Sequence, residues 1–322
     1  MLSVKNLKTE FKVGQKTVKA VDGVSFEVPS NSIVGIVGES GSGKSVTALS
    51  IMGLLSSNAR VTSGEVLWNG TDVLTMPENE RRLIRGKEIG LIFQNPLAAL
   101  NPVFSIGNQF IETICLHHTV DKKVARERAV ALLKQVNIPD PETRLDDYPH
   151  QFSLGMCQRI MIALTLAMDP TLLIADEPTA SLDVTIQAQI LALLKEIQRE
   201  REMSVLLISH DLGVVAQYCD YIVIMYLGKL VEKGTPEQIF GSPKHPYTQA
   251  LISAIPSTDP HKKHSPIILK GDIPSPMNVP TGCRFHTRCP YVMPKCSGVE
   301  PVLQSLELNR EVACYLYSES KE

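Results

Sequence analysis

The eight residues Gly38-Glu39-Ser40-Gly41-Ser42-Gly43-Lys44-Ser45 fit the pattern G-x-x-x-x-G-K-[ST], and the apolar run Ile33, Val34, Ile36, Val37 leads into them. A buried strand that feeds a glycine-rich turn and then a helix commits this region to an α/β fold. The glycines let the backbone close around phosphate oxygens with several N–H groups pointing inward, and the helix starting near Lys44 adds its positive end. Lys44 is expected to reach the β and γ phosphates and Ser45 to ligate magnesium, with Val46 the next residue of the binding segment. The expected ligand is a nucleoside triphosphate.

A second apolar strand, Leu172-Leu173-Ile174-Ala175, ends in the adjacent carboxylates Asp176 and Glu177. Such a pair is ordinarily a solvated turn. Following a buried strand in a phosphate-loop protein, Asp176 is expected to hold magnesium and Glu177 to polarise an attacking water, because γ-phosphoryl transfer needs an aligned nucleophile more than covalent help. Pro178-Thr179-Ala180-Ser181-Leu182-Asp183 follows at once, and Ser209-His210-Asp211 closes a further apolar strand, Val205-Leu206-Leu207-Ile208.

In this order the motifs resemble those of the nucleotide-binding subunit of an ABC transporter. The resemblance implies a P-loop ABC ATPase cassette: an α/β, RecA-like core with an antiparallel β flap, a helical subdomain and here a small cysteine-containing C-terminal extension. It implies that Gln94, after Gly90-Leu91-Ile92-Phe93, senses magnesium and the membrane partner. It also implies that Ser181-Leu182-Asp183 faces a second cassette and that His210 contacts the γ-phosphate. Phe11 resembles the aromatic that stacks on adenine, although an aromatic near the end of a first strand also suits a core. Where the family usually reads L-S-G-G-Q, this chain reads Phe152-Ser153-Leu154-Gly155-Met156. Ser153 and Gly155 still offer a hydroxyl and a backbone N–H at a helix start. Leu154 either restricts a backbone that glycine leaves free or fills space beside the partner's nucleotide, and Met156 ends the same partner-facing segment.

The resemblance divides the chain into an ATPase core at 1–94 and 169–243, a helical and signature subdomain at 95–168, and an extension at 244–322. Strands are expected at Ser3 to Phe11, Val18 to Val28 and Glu65 to Asn69. In the helical insert, Val124, Ala125, Ala129, Leu132, Leu133 and Val136 are spaced for one helix face. A helix is expected from Val184 to Arg201. The segment Lys244-His245-Pro246-Tyr247-Thr248-Gln249-Ala250-Leu251 and the tail after it resemble the C-terminal extension of oligopeptide and dipeptide importer ATPases. A proline-containing linker from Ile255 to Pro280 reads as extended and turn-rich.

Four of the seven cysteines, Cys283, Cys289, Cys296 and Cys314, fall in this tail, while Cys115, Cys157 and Cys219 read as small buried apolar residues. A cytoplasmic compartment argues against disulfides among the four. Their spacing is wider than structural zinc sites favour, and empty thiols also remain open. Some peptide-importer relatives carry a 4Fe-4S cluster on a tail of this spacing, which makes such a cluster the expectation here. The nearby Arg284, Arg288 and Lys295 would then offset its charge, or form a solvated face.

Composition bounds the rest. A net charge of -2 gives no general attraction for nucleic acid, and 43% hydrophobic residues over 322 positions support a large core. The longest apolar stretch, Ile160 to Met168, is far below the roughly 18 residues of a membrane helix. The N-terminus lacks the apolar core of a signal peptide. The resemblance therefore implies a peripheral subunit on the cytoplasmic face of the cell membrane. Its expected partners are a second ATPase in a heterodimer, two transmembrane permeases and an extracytoplasmic substrate-binding protein. Peptides are the expected cargo, with nickel or another metal chelate as the alternative. A soluble ABC protein acting on nucleic acid would carry long coiled coils or a second cassette, and neither is in the sequence.

Overall fold

The computed structural model describes residues 1–255 and 266–317. Its strands are β1 (Leu2–Val13), β2 (Lys16–Val28), β3 (Ile33–Val37), β4 (Ala59–Trp68), β5 (Thr71–Asp72), β6 (Ile89–Ile92), β7 (Leu172–Asp176), β8 (Ser204–Ser209), β9 (Tyr221–Tyr226), β10 (Lys229–Gly234), β11 (Gln304–Glu307) and β12 (Arg310–Val312). The chain forms two compact units, one of Met1–Pro29, Ile33–Thr75 and Ile208–Glu322, the other of Ser30–Ser32 and Met76–Leu207.

In the first unit, β2-β1-β4-β5 make an antiparallel sheet, and β11, β12, β10, β9 and β3 lie side by side in that order. The last pair is parallel, Val34 to Val37 against Tyr221 to Ile224. Both strands are nearly all apolar because both faces are covered. β4 begins at Ala59, six residues before the expected Glu65. The sequence Thr62-Ser63-Gly64 reads as a turn, but the register of β1 and β4 shifts between Lys5 and Lys8, and Gly64 enters a left-handed conformation pressed on the Asn6 backbone. A bulge thus carries the strand through a stretch whose composition suggests a stop.

The second unit contains the parallel pair β6 and β7 and most of the helices. The helix Lys122–Gln135 starts where the Asp121 side chain accepts the Val124 N–H, and it buries Ala125, Ala129, Leu132 and Leu133. Val124 does not join that stripe: it lies in the first turn, off the buried face, and is exposed. The helix Val184–Arg201 has the expected limits, set by Asp183 accepting from the Thr185 and Ile186 N–H groups. Among the described residues no helix is long and apolar enough to cross a membrane.

The extension does not stand apart as a third unit. β12 pairs with β10, Glu232 opposite Val312, which places the tail in the first unit. The guanidinium of Arg310 donates to Glu232 at 2.9 Å, with side-chain exposures of 2% and 0%. Glu232 also accepts the backbone N–H groups of Lys244 and His245. Of the linker expected from Ile255 to Pro280, residues 256–265 lie outside the described residues, and 266–280 carry neither helix nor strand. Breaking a buried ion pair leaves one charge without compensation. Arg310→Ala is therefore expected to cost about 3–5 kcal/mol of stability, measured by urea denaturation against the unaltered chain.

Candidate nucleotide-binding site

β3 delivers its chain into a loop that leaves no room for side chains at two of its glycines. A Cβ on Gly38 would lie 2.2 Å from the Met225 carbonyl oxygen, and one on Gly43 would lie 2.4 Å from that of Ala20. Gly43 also holds φ at +104°, and Gly41, which has open space, holds +77°. The helix Lys44–Met52 follows with Gly43 as its N-cap and no side chain capping it, so its first N–H groups face the loop. Lys44 is buried and donates to the Gly38 and Glu39 carbonyls at 2.8 and 3.2 Å. Among the described residues, Ser42 Oγ is buried without a hydrogen-bond partner, the kind of atom that a bound phosphate oxygen satisfies. Ser45 and Val46 are half-buried and Ser40 is exposed.

In the second unit, four buried residues of β7 lead to Asp176, and Glu177 follows with φ at +45°. A non-glycine residue in that conformation is uncommon and is held there by its surroundings. Gln94 Nε2 donates to Glu177 Oε2 at 3.2 Å, so the structure brings these two expected site residues together. His210, in the first unit, is exposed, and the next residue, Asp211, caps the helix Leu212–Tyr218 by accepting the Val214 N–H. Phe11 is half-buried in β1 opposite Val18 and Ala59. It lines a surface cavity with Thr17, Asn58 and Arg60 that no phosphate-loop residue reaches.

Known proteins are similar to this chain in sequence and fold. The profile of the ABC transporter family matches residues 21–180, and that of the oligopeptide/dipeptide transporter C-terminal region matches residues 231–296. The chain is 46% identical over 320 residues to the oligopeptide transport ATP-binding protein AppD of Bacillus subtilis, covering 99% of this chain and 97% of that protein. The chain belongs to the ABC transporter family. A dipeptide transport ATP-binding protein, DppD of Escherichia coli, is 46% identical over 98% of this chain and 96% of its own length. Among solved structures, the ATP-binding cassette MJ0796, in a dimeric post-hydrolysis state with ADP and Pi, is 27% identical. It covers 73% of this chain and 99% of its own, with a TM-score of 0.66. This chain is an ATP-binding cassette of the same fold and an ATPase.

The altered signature of this cassette costs no backbone strain. Ser153 is exposed and caps the helix Leu154–Leu166 by accepting the Met156 N–H at 3.3 Å. Leu154 is the first residue of that helix and is absent from the left-handed region that would favour glycine. Its ordinary dihedrals show only that the folded backbone is not strained by the lost glycine. Gly155 is the tight position, since a Cβ there would lie 3.0 Å from Ile186 Cγ2.

Cys283, Cys289, Cys296 and Cys314 line one cavity together with His245, Phe285 and Met293. Burial pushes the thiols of Cys283 and Cys314 up to about 11 and raises that of Cys289. Among the described residues, however, no group of three or more His, Cys, Asp or Glu side chains could hold a metal ion. The four thiols share the lining of this space without forming such a group, so neither the expected cluster nor zinc is shown. Cys157 and Cys219 are buried as expected, whereas Cys115 is only half-buried.

Of the basic residues beside these cysteines, Lys295 is exposed as a solvated face would have it, whereas Arg284 and Arg288 are held in ion pairs and none of the three lines the cavity. Arg284 is buried and donates to Asp22 and to the Leu227 carbonyl, and Arg288 forms a two-pronged ion pair with Glu39 of the phosphate loop. Lys295 lies over the Tyr315 ring, 4.6 Å from its centre. Sequence reading also misses Tyr247, whose hydroxyl accepts the Glu39 N–H at 2.9 Å. Its only signal was membership of the His-Pro-Tyr-Thr segment. Gly43→Ala is expected to abolish detectable ATP binding, because the added methyl overlaps the Ala20 carbonyl and the backbone cannot hold its positive φ. Titration calorimetry with magnesium ATP reads this directly.

Proposed function

We propose that this ATPase powers the import of di- or oligopeptides across the cell membrane as a peripheral subunit on the cytoplasmic face. The observation that carries the reading is the union, in one chain, of a phosphate loop with a tail matched by the oligopeptide/dipeptide transporter C-terminal region over residues 231–296. In this proposal Gly38, Glu39, Ser40, Gly41, Ser42, Gly43, Lys44, Ser45 and Val46 cradle the ATP phosphates, and Phe11 stacks on the base. Ser45, Gln94 and Asp176 hold magnesium, which supplies charge neutralisation on the phosphates. Glu177 polarises water, oriented by its hydrogen bond to Gln94, and His210 contacts the γ-phosphate.

The partners follow the same logic. Phe93, Leu97, Val103 and Phe104 are exposed apolar side chains that follow β6 around Gln94, and they suit a helix of a permease subunit. Two permeases and an extracytoplasmic binding protein complete the transporter. Ser153, Leu154, Gly155 and Met156 face the nucleotide of a second, distinct ATPase, whose own signature completes the site of this chain. Calorimetry of the associated binding protein with dipeptides, longer peptides and nickel chelates tests the cargo, and binding of the chelate alone would overturn the peptide reading.

The proposal also includes a 4Fe-4S cluster on Cys283, Cys289, Cys296 and Cys314. Four thiols around one cavity are the donor set for such a cluster, and its iron atoms need ligands that surround a volume. Bound there, it would supply a structural crosslink, and the high thiol values mean that its assembly releases protons.

Glu177→Gln is expected to keep ATP affinity within about twofold and to lower turnover by at least about 100-fold, since only the polarising carboxylate is lost. Lys44→Ala should instead weaken nucleotide binding itself. Turnover and affinity measured on the reconstituted transporter check both. Anaerobically purified protein should be brown and carry about four irons per chain. Stoichiometric zinc without iron in elemental analysis would overturn the cluster.

A further inference from the structure

Glu39 is held from outside the phosphate loop at both its backbone and its side chain. Its carbonyl faces inward, accepting the Ser42 N–H at 3.1 Å and Lys44 Nζ at 3.2 Å. Its N–H points the other way, to the Tyr247 hydroxyl at 2.9 Å. Its carboxylate takes both prongs of Arg288, at 2.8 and 3.2 Å. The carbonyl that competes for the Lys44 ammonium thus belongs to a residue whose orientation is set by Tyr247 and Arg288. Both come from the C-terminal extension.

These two residues are rigidly placed. Tyr247 is fully buried, and its ring packs against Tyr226 and Phe285, with centroids 4.8 and 5.4 Å away. Arg288 lies over the Tyr226 ring and donates to the Tyr226 hydroxyl at 3.3 Å. Four residues earlier, Arg284 donates to the Leu227 carbonyl, and the next residue, Gly228, donates its N–H to the Ser42 carbonyl at 2.8 Å. The extension therefore reaches the loop directly at Glu39 and, through the turn between β9 and β10, at Ser42. A bidentate guanidinium at low exposure fixes direction as well as distance.

We propose that Tyr247 and Arg288 are positioning residues for ATP binding: by holding Glu39, they keep the phosphate loop in the conformation that accepts the nucleotide. The C-terminal extension then sets nucleotide affinity in addition to any contact it makes with partners. This rests on the phosphate loop being the ATP site, and in it Tyr247 and Arg288 act through Glu39.

The test is equilibrium binding of magnesium AMPPNP to the full chain, with thermal melting followed in parallel. Arg288→Ala is expected to weaken binding about tenfold, as befits a lost charge-assisted pair. Tyr247→Phe, which removes one hydroxyl and keeps the ring, should weaken it by about threefold or more. Arg288→Lys should recover part of the loss, because an ammonium can pair with Glu39 but cannot engage both oxygens. Arg288→Ala combined with Glu39→Gln should be no weaker than either change alone, since both delete one interaction. If the extension is only a scaffold, melting temperatures fall while affinities stay within about twofold of the unaltered chain, and the proposal is overturned. Should Arg288→Ala fail to fold, Tyr247→Phe decides by the same affinity criterion. Absence of binding by the unaltered chain would instead refute the nucleotide site itself, so the two failures are distinct.

Discussion

The phosphate loop of this protein is confined by backbone on its outer side. Carbonyl oxygens of Met225 and Ala20 stand where a methyl group on Gly38 or Gly43 would have to go. Such contacts are unforgiving, because a main-chain carbonyl in a paired strand cannot rotate away as a side chain can. Neighbouring elements must therefore hold their register for the loop to keep its shape. β9 supplies the Met225 carbonyl, and its pairing with β3 in parallel register fixes where that oxygen lies. The loop is in this sense a product of the sheet beneath it, and the glycines are the condition for the two to meet.

Much of this was legible in the sequence, for physical reasons that can be assigned residue by residue. β3, β7 and β8 are covered on both faces and appear as unbroken apolar runs, whereas the helix that Asp211 caps after β8 was not expected. The pairing of Gln94 with Glu177 was foreshadowed by their expected roles alone. The β4 bulge was hidden because Gly64 looks the same in a turn as in a strand that bends around a close backbone. Arg284 and Arg288 were hidden more deeply. Their partners Asp22 and Glu39 lie 262 and 249 residues away in sequence, and nothing local distinguishes a buried arginine from a solvated one.

Leu154 shows the opposite case, a departure from the family pattern that the backbone absorbs. Its place at the first position of a helix demands only ordinary dihedrals, which leucine adopts without strain. Glu177 is the reverse. It has a familiar residue type in an uncommon conformation, and its carboxylate is aimed by the backbone turn after β7 and by Gln94.

Glu232 carries a practical implication for anyone who trims or fuses this chain. One fully buried carboxylate receives the guanidinium of Arg310 and the N–H groups of Lys244 and His245, so the last strand supplies the only cation among its hydrogen-bond donors described above. The matched C-terminal region stops at residue 296, which makes that point an inviting place to end a shortened gene. A protein cut there would keep the carboxylate and discard its cation, exposing a charge in the interior far from the scissors. The workable boundary lies past the end of β12 at Val312 and past Cys314, which lines the tail cavity.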